Sequence, residues 1–164
     1  MTLYLVRHGI AVDPTDPHSP AEPERPLTAK GVQKTRSAAL GLRALDARPD
    51  IMITSPYVRA AQTAEIFAEA LGFPTAKLRA SEALTPGANP AEALKEISKL
   101  RAKKVMCFGH APHLDQVISL LTGSRGVFTS LKKAGVACFE QSNPRGQWEL
   151  LWILTPKLLR QLAE

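Results

Sequence analysis

The chain has 164 residues, a length that suits one domain with a single core, and its 45% hydrophobic and 22% charged content is typical of a globular protein. The net charge of +6 suits an anionic partner, but basic and acidic residues are interspersed and only 5% are aromatic, which argues against nucleic-acid binding. Because the sequence has no apolar run of about 18 residues and no secretion leader, we predict a single cytoplasmic domain over residues 1–164 with no membrane contact.

Short apolar runs alternate with helix-length segments up to Gly123. The strand-like runs are TLYLV, DIMIT and KKVMCF, and helical patterns cover Lys30–Leu45, Tyr57–Leu71 and PHLDQVISLLTG. Strands that are separated by helices indicate right-handed βαβ units. We therefore predict a three-layer α/β fold, with a mostly parallel central sheet and helices on both of its faces.

The character of the chain changes after Gly123. AGVACFEQ and QWELLWILT are two strand-like runs joined by the turn formers of SNPRG, which predicts a hairpin at the sheet edge. Pro156–Leu162 is amphipathic and predicts a last helix with proline at its first position. Cys107 and Cys138 lie within apolar runs, where we expect buried thiols and no disulfide.

A proline-rich segment follows the first predicted strand. Asp13–Pro26 contains five of the 13 prolines and almost no apolar residues, so it predicts a surface loop. Thr28, in the PLTAKG segment that comes next, predicts the N-cap of the first long helix. The loop is expected to lie near any site that the first strand carries.

Charged or titratable side chains follow three of the predicted strands. The first strand ends in Arg7 and His8, and His110 comes after KKVMCF. After DIMIT, Ser55 is expected to cap a helix whose first turn directs Arg59 back toward the same edge. Ligands of open α/β sheets bind at the carboxyl ends of the strands. These two arginines and two histidines are therefore expected to converge on one small cavity.

Two arginines and nearby helix N-termini suit a tetrahedral oxyanion, so phosphate is the expected ligand. The sequence has no GxxxxGK[ST] motif, no Asp-x-Asp after a strand and no Cys-x5-Arg loop. A neutral imidazole can attack phosphorus, which makes His8 the candidate nucleophile, with one ring nitrogen held by a backbone carbonyl. Arg7, Arg59 and His110 would stabilise the phosphoryl oxygens. The HAPH pair spans a helix start and lacks a third ligand, so we expect no metal and no other cofactor.

These motifs resemble those of the histidine phosphatase superfamily. The family's RHG signature is matched by Arg7, His8 and Gly9, while SPYVRAAQTA and GHAPHL resemble its second-arginine and second-histidine motifs. The small size, SPYVRAAQT and LTPG look most like the SixA-type phosphohistidine phosphatases. The resemblance implies a phosphoglycerate-mutase-like fold, His8 as phosphoryl acceptor, and Arg7, Arg59 and His110 as the phosphate pocket. The long insertions that cover the site in larger family members have no counterpart here.

The general acid and the substrate stay open at this point. Larger members of the family use a carboxylate to protonate the leaving group, and Glu82 in SEALTPG is the only candidate here, although a solvated residue before a loop is an equal alternative. An imidazole leaving group needs less acid help, which favours a phosphohistidine-bearing protein as substrate. The alternatives are a small phosphate ester hydrolysed by the same residues, or a non-catalytic module that binds a phosphoprotein. The sequence indicates no oligomeric state.

Overall fold

The computed structural model describes residues 1–143 and 146–163. The strands are β1 (Thr2–Arg7), β2 (Ile51–Thr54), β3 (Arg79–Ala80), β4 (Lys104–Gly109), β5 (Val136–Glu140) and β6 (Glu149–Leu154). The helices are α1 (Ala29–Ala44), α2 (Val58–Leu71), α3 (Pro90–Ser98), α4 (His113–Thr122) and α5 (Pro156–Leu162), with single 3₁₀ turns at Glu22–Glu24, Thr75–Lys77 and Glu82–Leu84. Each predicted element is present to within about two residues, the usual uncertainty of an element's ends.

The six strands form one sheet in the order β3-β2-β4-β1-β5-β6. β3, β2, β4 and β1 are mutually parallel, whereas β5 is antiparallel to both β1 and β6. The prediction of a mostly parallel sheet with a hairpin at one edge is confirmed. Pro144 and Arg145, within the SNPRG turn predicted for that hairpin, lie outside the described residues.

Side chains that alternate along the buried strands feed two cores, one on each face of the sheet. On β1, Tyr4 and Val6 point toward the face covered by α1, α2 and α5, and Leu3 and Leu5 point toward the face covered by α3 and α4. The three layers and the helices on both faces agree with the prediction. Cys107 and Cys138 are buried free thiols, also as predicted.

Local signals account for several of the helix ends. The side chain of Thr28 caps α1 by accepting a hydrogen bond from Gly31 N at 3.0 Å, as predicted. Pro156 opens α5 behind the capping hydroxyl of Thr155. The predicted cap at Ser55 is wrong, because the N-cap of α2 is Tyr57 and the Ser55 hydroxyl contacts another residue, described below. None of the helices in the described residues is long and apolar enough to cross a membrane.

Candidate active site

Three strand ends bring His8, Ser55 and His110 together at the carboxyl edge of the sheet. β4 lies between β1 and β2, and backbone hydrogen bonds join His8 N to Gly109 O and Ser55 N to Phe108 O, each at 2.9 Å. The rings of His8 and His110 are both buried, and their centroids are 5.1 Å apart with an angle of 56° between the planes. Two imidazoles at this separation can contact a single phosphoryl group.

The ring of His8 is held in one orientation by its own loop. Its Nδ1 lies 2.7 Å from the carbonyl oxygen of Gly9, and because a carbonyl can only accept, the proton is on Nδ1. Nε2 therefore carries the lone pair, and it accepts a hydrogen bond from Nε of Arg59 at 3.3 Å. The carbonyl that holds the ring proton agrees with the sequence analysis, whereas the donation from Arg59 Nε to Nε2 was not predicted.

The loop after His8 is fixed between α1 and α2. Gly9 N donates to the Thr63 hydroxyl at 3.0 Å, and that hydroxyl donates to the carbonyl oxygen of Arg59 at 2.7 Å. A Cβ at position 9 would collide with the buried hydroxyl of Thr35 on α1. Only glycine at position 9 allows α1 to pack this closely against the backbone next to His8.

Arg59, in the first turn of α2, is only 3% exposed and is held by the proline-rich loop. Its Nη1 donates to Glu22 O at 2.8 Å, and its Nη2 donates to Glu22 Oε1 at 2.7 Å. The guanidinium also lies over the Tyr57 ring, 5.2 Å from its centroid. Glu22 in turn accepts two hydrogen bonds from Arg25, at 2.7 and 2.9 Å. The sequence placed this loop near the site but did not single out Glu22.

Arg7 is held by the segment that precedes β5. Its Nη1 donates to Leu131 O at 2.7 Å, and Leu131 N donates to Oδ1 of the buried Asp115 at 2.8 Å. Burial lowers the pKa of the Arg7 guanidinium, and the charge of Asp115 opposes that shift. Nε of Arg7 is a buried donor with no partner among the described residues. Neither Leu131 nor Asp115 was predicted, because their relation to Arg7 depends on contacts more than 100 residues apart.

His110 contacts Ser55, which was expected to cap a helix, and Tyr57, which the sequence analysis did not single out. Its Nε2 lies 2.9 Å from the hydroxyl of Ser55, and its ring meets that of Tyr57 edge-on at 5.2 Å. The Ser55 hydroxyl accepts from Tyr57 N at 3.3 Å, so we assign its hydrogen to the bond with His110 Nε2. That assignment leaves the proton of His110 on Nδ1, which is buried and has no partner among the described residues.

Both central imidazoles are neutral at physiological pH. Burial is the main cause that lowers the pKa of His8 to about 3, with Arg59 and Arg7 adding to the effect and the Gly9 carbonyl opposing it. Burial also lowers the pKa of His110 to about 2, helped by His8 and Arg59. A neutral His8 keeps an unprotonated Nε2, and the charges of Arg59 and Arg7 nearby make its surroundings suited to an anion.

Glu82 stands apart from this cluster. It opens the 3₁₀ turn Glu82–Leu84, its side chain is exposed, and no described residue gives its carboxylate a hydrogen bond or an ion pair. The turn itself adjoins the site, because Leu84 O lies 3.3 Å from where a Cβ on Gly109 would be. A role for Glu82 as general acid stays a prediction.

The second histidine of HAPH, His113, makes no hydrogen bond through its ring with the described residues. It is the first residue of α4 and is 1% exposed. His18 is exposed in the loop. Over residues 1–143 and 146–163, no three His, Cys, Asp or Glu side chains are grouped closely enough to bind a metal ion.

Comparison with known proteins shows the family of this chain. Residues 3–85 match the model of the histidine phosphatase superfamily (branch 1). An uncharacterized protein from Picosynechococcus sp. (strain ATCC 27264 / PCC 7002 / PR-6) is 34% identical over 167 residues, which cover 97% of this chain and 99% of that protein.

Two solved structures share the fold. That of the protein histidine phosphatase SixA complexed with tungstate superposes with a TM-score of 0.86 at 23% identity, covering 97% of this chain and 99% of SixA. A phosphoserine phosphatase variant from Entamoeba histolytica, in complex with phosphoserine, gives a TM-score of 0.72 at 16% identity, over 95% of this chain and 98% of the other. The predicted α/β architecture is that of these phosphatases.

Proposed function

Because this chain belongs to the histidine phosphatase superfamily, we propose that it is a phosphatase that hydrolyses protein phosphohistidine through a covalent intermediate on His8. The observation that carries this proposal is the state of the His8 ring, with its proton on Nδ1 against Gly9 O and its Nε2 lone pair facing Arg59. The second imidazole, 5.1 Å away, completes a site for one phosphoryl group.

In the first step, Nε2 of His8 attacks phosphorus and the bond from phosphorus to the substrate's imidazole breaks. The other nitrogen of that imidazole takes a proton from solvent, so the ring leaves as a neutral group, and the phosphate released in the second step returns one proton to solvent. One nitrogen–phosphorus bond replaces another of the same kind, so this step needs little help from a carboxylic acid. The exposed and unpartnered Glu82 is consistent with such a substrate.

In the second step, water attacks the phosphorus and the bond to Nε2 breaks. The electron pair returns to Nε2, and the protons of the water leave with the phosphate, which returns one of them to solvent. Gly9 O keeps the proton on Nδ1 throughout, so His8 leaves as a neutral imidazole rather than as an anion. Arg7, Arg59 and His110 donate to the phosphoryl oxygens in both steps, which stabilises charge without a metal ion.

A second candidate function is hydrolysis of a small phosphate monoester at the same site. Two observations favour it: the fold is shared with a phosphoserine phosphatase, and the turn that carries Glu82 adjoins β4. In that case Glu82 would protonate the alkoxide leaving group, and Glu82→Gln would abolish turnover of the ester.

The deciding experiment presents purified protein with three substrates: a protein labelled on phosphohistidine, the same protein labelled on phosphoserine, and a sugar phosphate. We expect the phosphohistidine label to be removed fastest, with activity unchanged by a chelator. Quenched reactions should contain an enzyme-bound phosphate that is labile in acid and stable in alkali. Faster turnover of the sugar phosphate would support the second candidate, and binding without any turnover would make the protein a phosphoprotein-binding module.

A further inference from the structure

A second cavity, of about 410 Å³, opens beside the catalytic pocket and shares Arg7 with it. Three lysines line it, one from α1 and two from the segment that leads into β5, and we call Lys34, Lys132 and Lys133 the lysine rim. All three are exposed, and no carboxylate lines the cavity. The opening is therefore positively charged.

The charges of the lysine rim have no ion-pair partner in the part of the chain that the structure describes, since none of its ammonium groups lies within ion-pair distance of a carboxylate there. Other exposed cations do find such partners, for example Lys95 with Glu92 at 3.6 Å and Arg48 with Asp46 at 2.6 Å. Unpaired charges gathered around one opening indicate attraction of an external anion.

The rim is tied to the catalytic strand by backbone hydrogen bonds. Ala134 N, directly after Lys133, donates to Arg7 O at 3.0 Å and to His8 O at 3.1 Å. The charge of Lys133 also contributes to the lowered pKa of His8, behind burial and the two arginines. An anion bound by the rim would consequently lie next to a phosphoryl group on His8.

We infer that the lysine rim binds acidic side chains of a protein substrate that flank its phosphohistidine. This inference rests on the proposed function, and it adds a surface that selects among phosphoproteins. Ile10, Ala134 and Pro156 form an apolar part of the cavity wall, and Thr35 and Arg7 complete it. Such a wall suits the methylene groups of Asp and Glu, while the flexible ammonium groups meet their carboxylates.

A second phosphate of a small bisphosphate is the rival occupant, and the lining argues against it. The proposed phosphate pocket is built of buried arginine and histidine donors with fixed partners. The rim instead has three exposed lysines, which lie on two separate segments and have long, flexible side chains. Lysine supplies a point charge rather than the planar fork that fits a phosphate.

The test compares two synthetic phosphohistidine peptides that differ only at four flanking positions, which are Glu in one and Gln in the other. Phosphoimidazole serves as a substrate without flanks. The rim variant carries Lys34→Gln, Lys132→Gln and Lys133→Gln. The control variant carries Lys99→Gln, Arg101→Gln and Lys103→Gln, which remove the same charge from exposed residues that line a different cavity.

We expect wild type and control variant to prefer the acidic peptide by about tenfold in KM, the sum of a few exposed ion pairs. The rim variant should lose this preference and keep its kcat and its turnover of phosphoimidazole, and added salt should weaken the preference wherever it exists. Equal preference in the rim variant would overturn the inference, as would a preference for a sugar bisphosphate over its monophosphate that depends on the rim. No turnover of phosphoimidazole by wild type would instead contradict the proposed function, and peptide affinities of the same three proteins would then decide the inference.

Discussion

The two edges of the parallel sheet both carry cavities and basic residues, yet only one has the features of a reaction site. At the edge where the parallel strands begin, a cleft of about 720 Å³ is rimmed by Lys99, Arg101 and Lys103, but its buried lining residues, Ile97 and Leu121, are apolar. At the carboxyl edge the polar groups themselves are buried and hydrogen-bonded, namely His8, Ser55, Arg59, His110 and Asp115. Buried polar groups with fixed partners, rather than the size of a cleft, indicate where chemistry occurs.

Among changes at the carboxyl edge, we expect substitution of the proposed nucleophile, His8, to reduce turnover most. His8→Ala should lower turnover of phosphohistidine by at least about 10³-fold, because removing the nucleophile removes the covalent path. The acid-labile label in quenched reactions should vanish with it. Full activity, or a label on serine, would contradict the mechanism.

We expect the next largest effect from substitution of Arg7 or Arg59, measured as weaker binding of vanadate. Arg59→Ala and Arg7→Ala each remove a charge-assisted donor from a buried site, so we expect inhibition by vanadate to weaken by about 100-fold or more in either variant. Lysine at either position should restore only part of it, because an ammonium lacks the forked geometry. Titration with vanadate measures this directly, and wild-type affinity in both alanine variants would place the anion site elsewhere.

A smaller effect should come from the contact that holds Arg59. Glu22→Gln replaces a charged acceptor of the Arg59 Nη2 bond by a neutral one, and we expect kcat/KM to fall about fivefold. Glu24, in the same 3₁₀ turn, makes no side-chain hydrogen bond or ion pair with the described residues, so Glu24→Gln is the matched control. Equal kinetics in the two variants would mean that Glu22 does not position Arg59.

Buried histidines should also couple the stability of the carboxyl edge to pH. Burial lowers the pKa of His113, whereas the pKa of histidine in an unfolded chain is about 6.5. When the pH drops below that value, the unfolded state takes up the proton first, so the free energy of unfolding decreases. His113→Leu removes one such group together with two unpartnered ring nitrogens. In denaturant titrations the variant should therefore gain more stability, relative to wild type, at pH 5 than at pH 7. An equal gain at both pH values would contradict a lowered pKa for His113.

The smallest effect should come from the opposite edge. The variant with Lys99→Gln, Arg101→Gln and Lys103→Gln changes exposed groups around the larger cleft, and we expect its kcat/KM for phosphoimidazole to stay within about twofold of wild type, as for most surface changes. A large loss of activity would remove the distinction between the two edges.

Sequence reasoning gave the correct placement of side chains that follow a strand. His8, Arg59 and His110 each follow a buried strand, and the pairing of β4 with β1 and β2 brings them together. It failed for Ser55, which was expected to cap α2: the N-cap is Tyr57, and the Ser55 hydroxyl accepts from Tyr57 N and contacts His110 Nε2.

Two classes of feature carry no local signal. Glu22 and Asp115 act through contacts between distant segments, so nothing in their own neighbourhood distinguishes them. The two residues of strand β3 leave no periodic pattern to detect. Helix α3 was also not predicted individually, although Asn89 caps it and Pro90 is its first residue.

The position of β1 inside the sheet has a consequence for how the chain folds during its synthesis. β1 is made first, but its neighbours are β4, which begins at Lys104, and β5, which begins at Val136. At about 5–20 residues per second, a ribosome needs roughly 5–20 s to add the intervening 100 or so residues. Leu3, Leu5 and Val6, fully buried in the finished sheet, have no strand partner during that interval. During that interval the apolar side chains of β1 can be covered only by contacts other than its native strand pairing, such as contacts with α1 and α2.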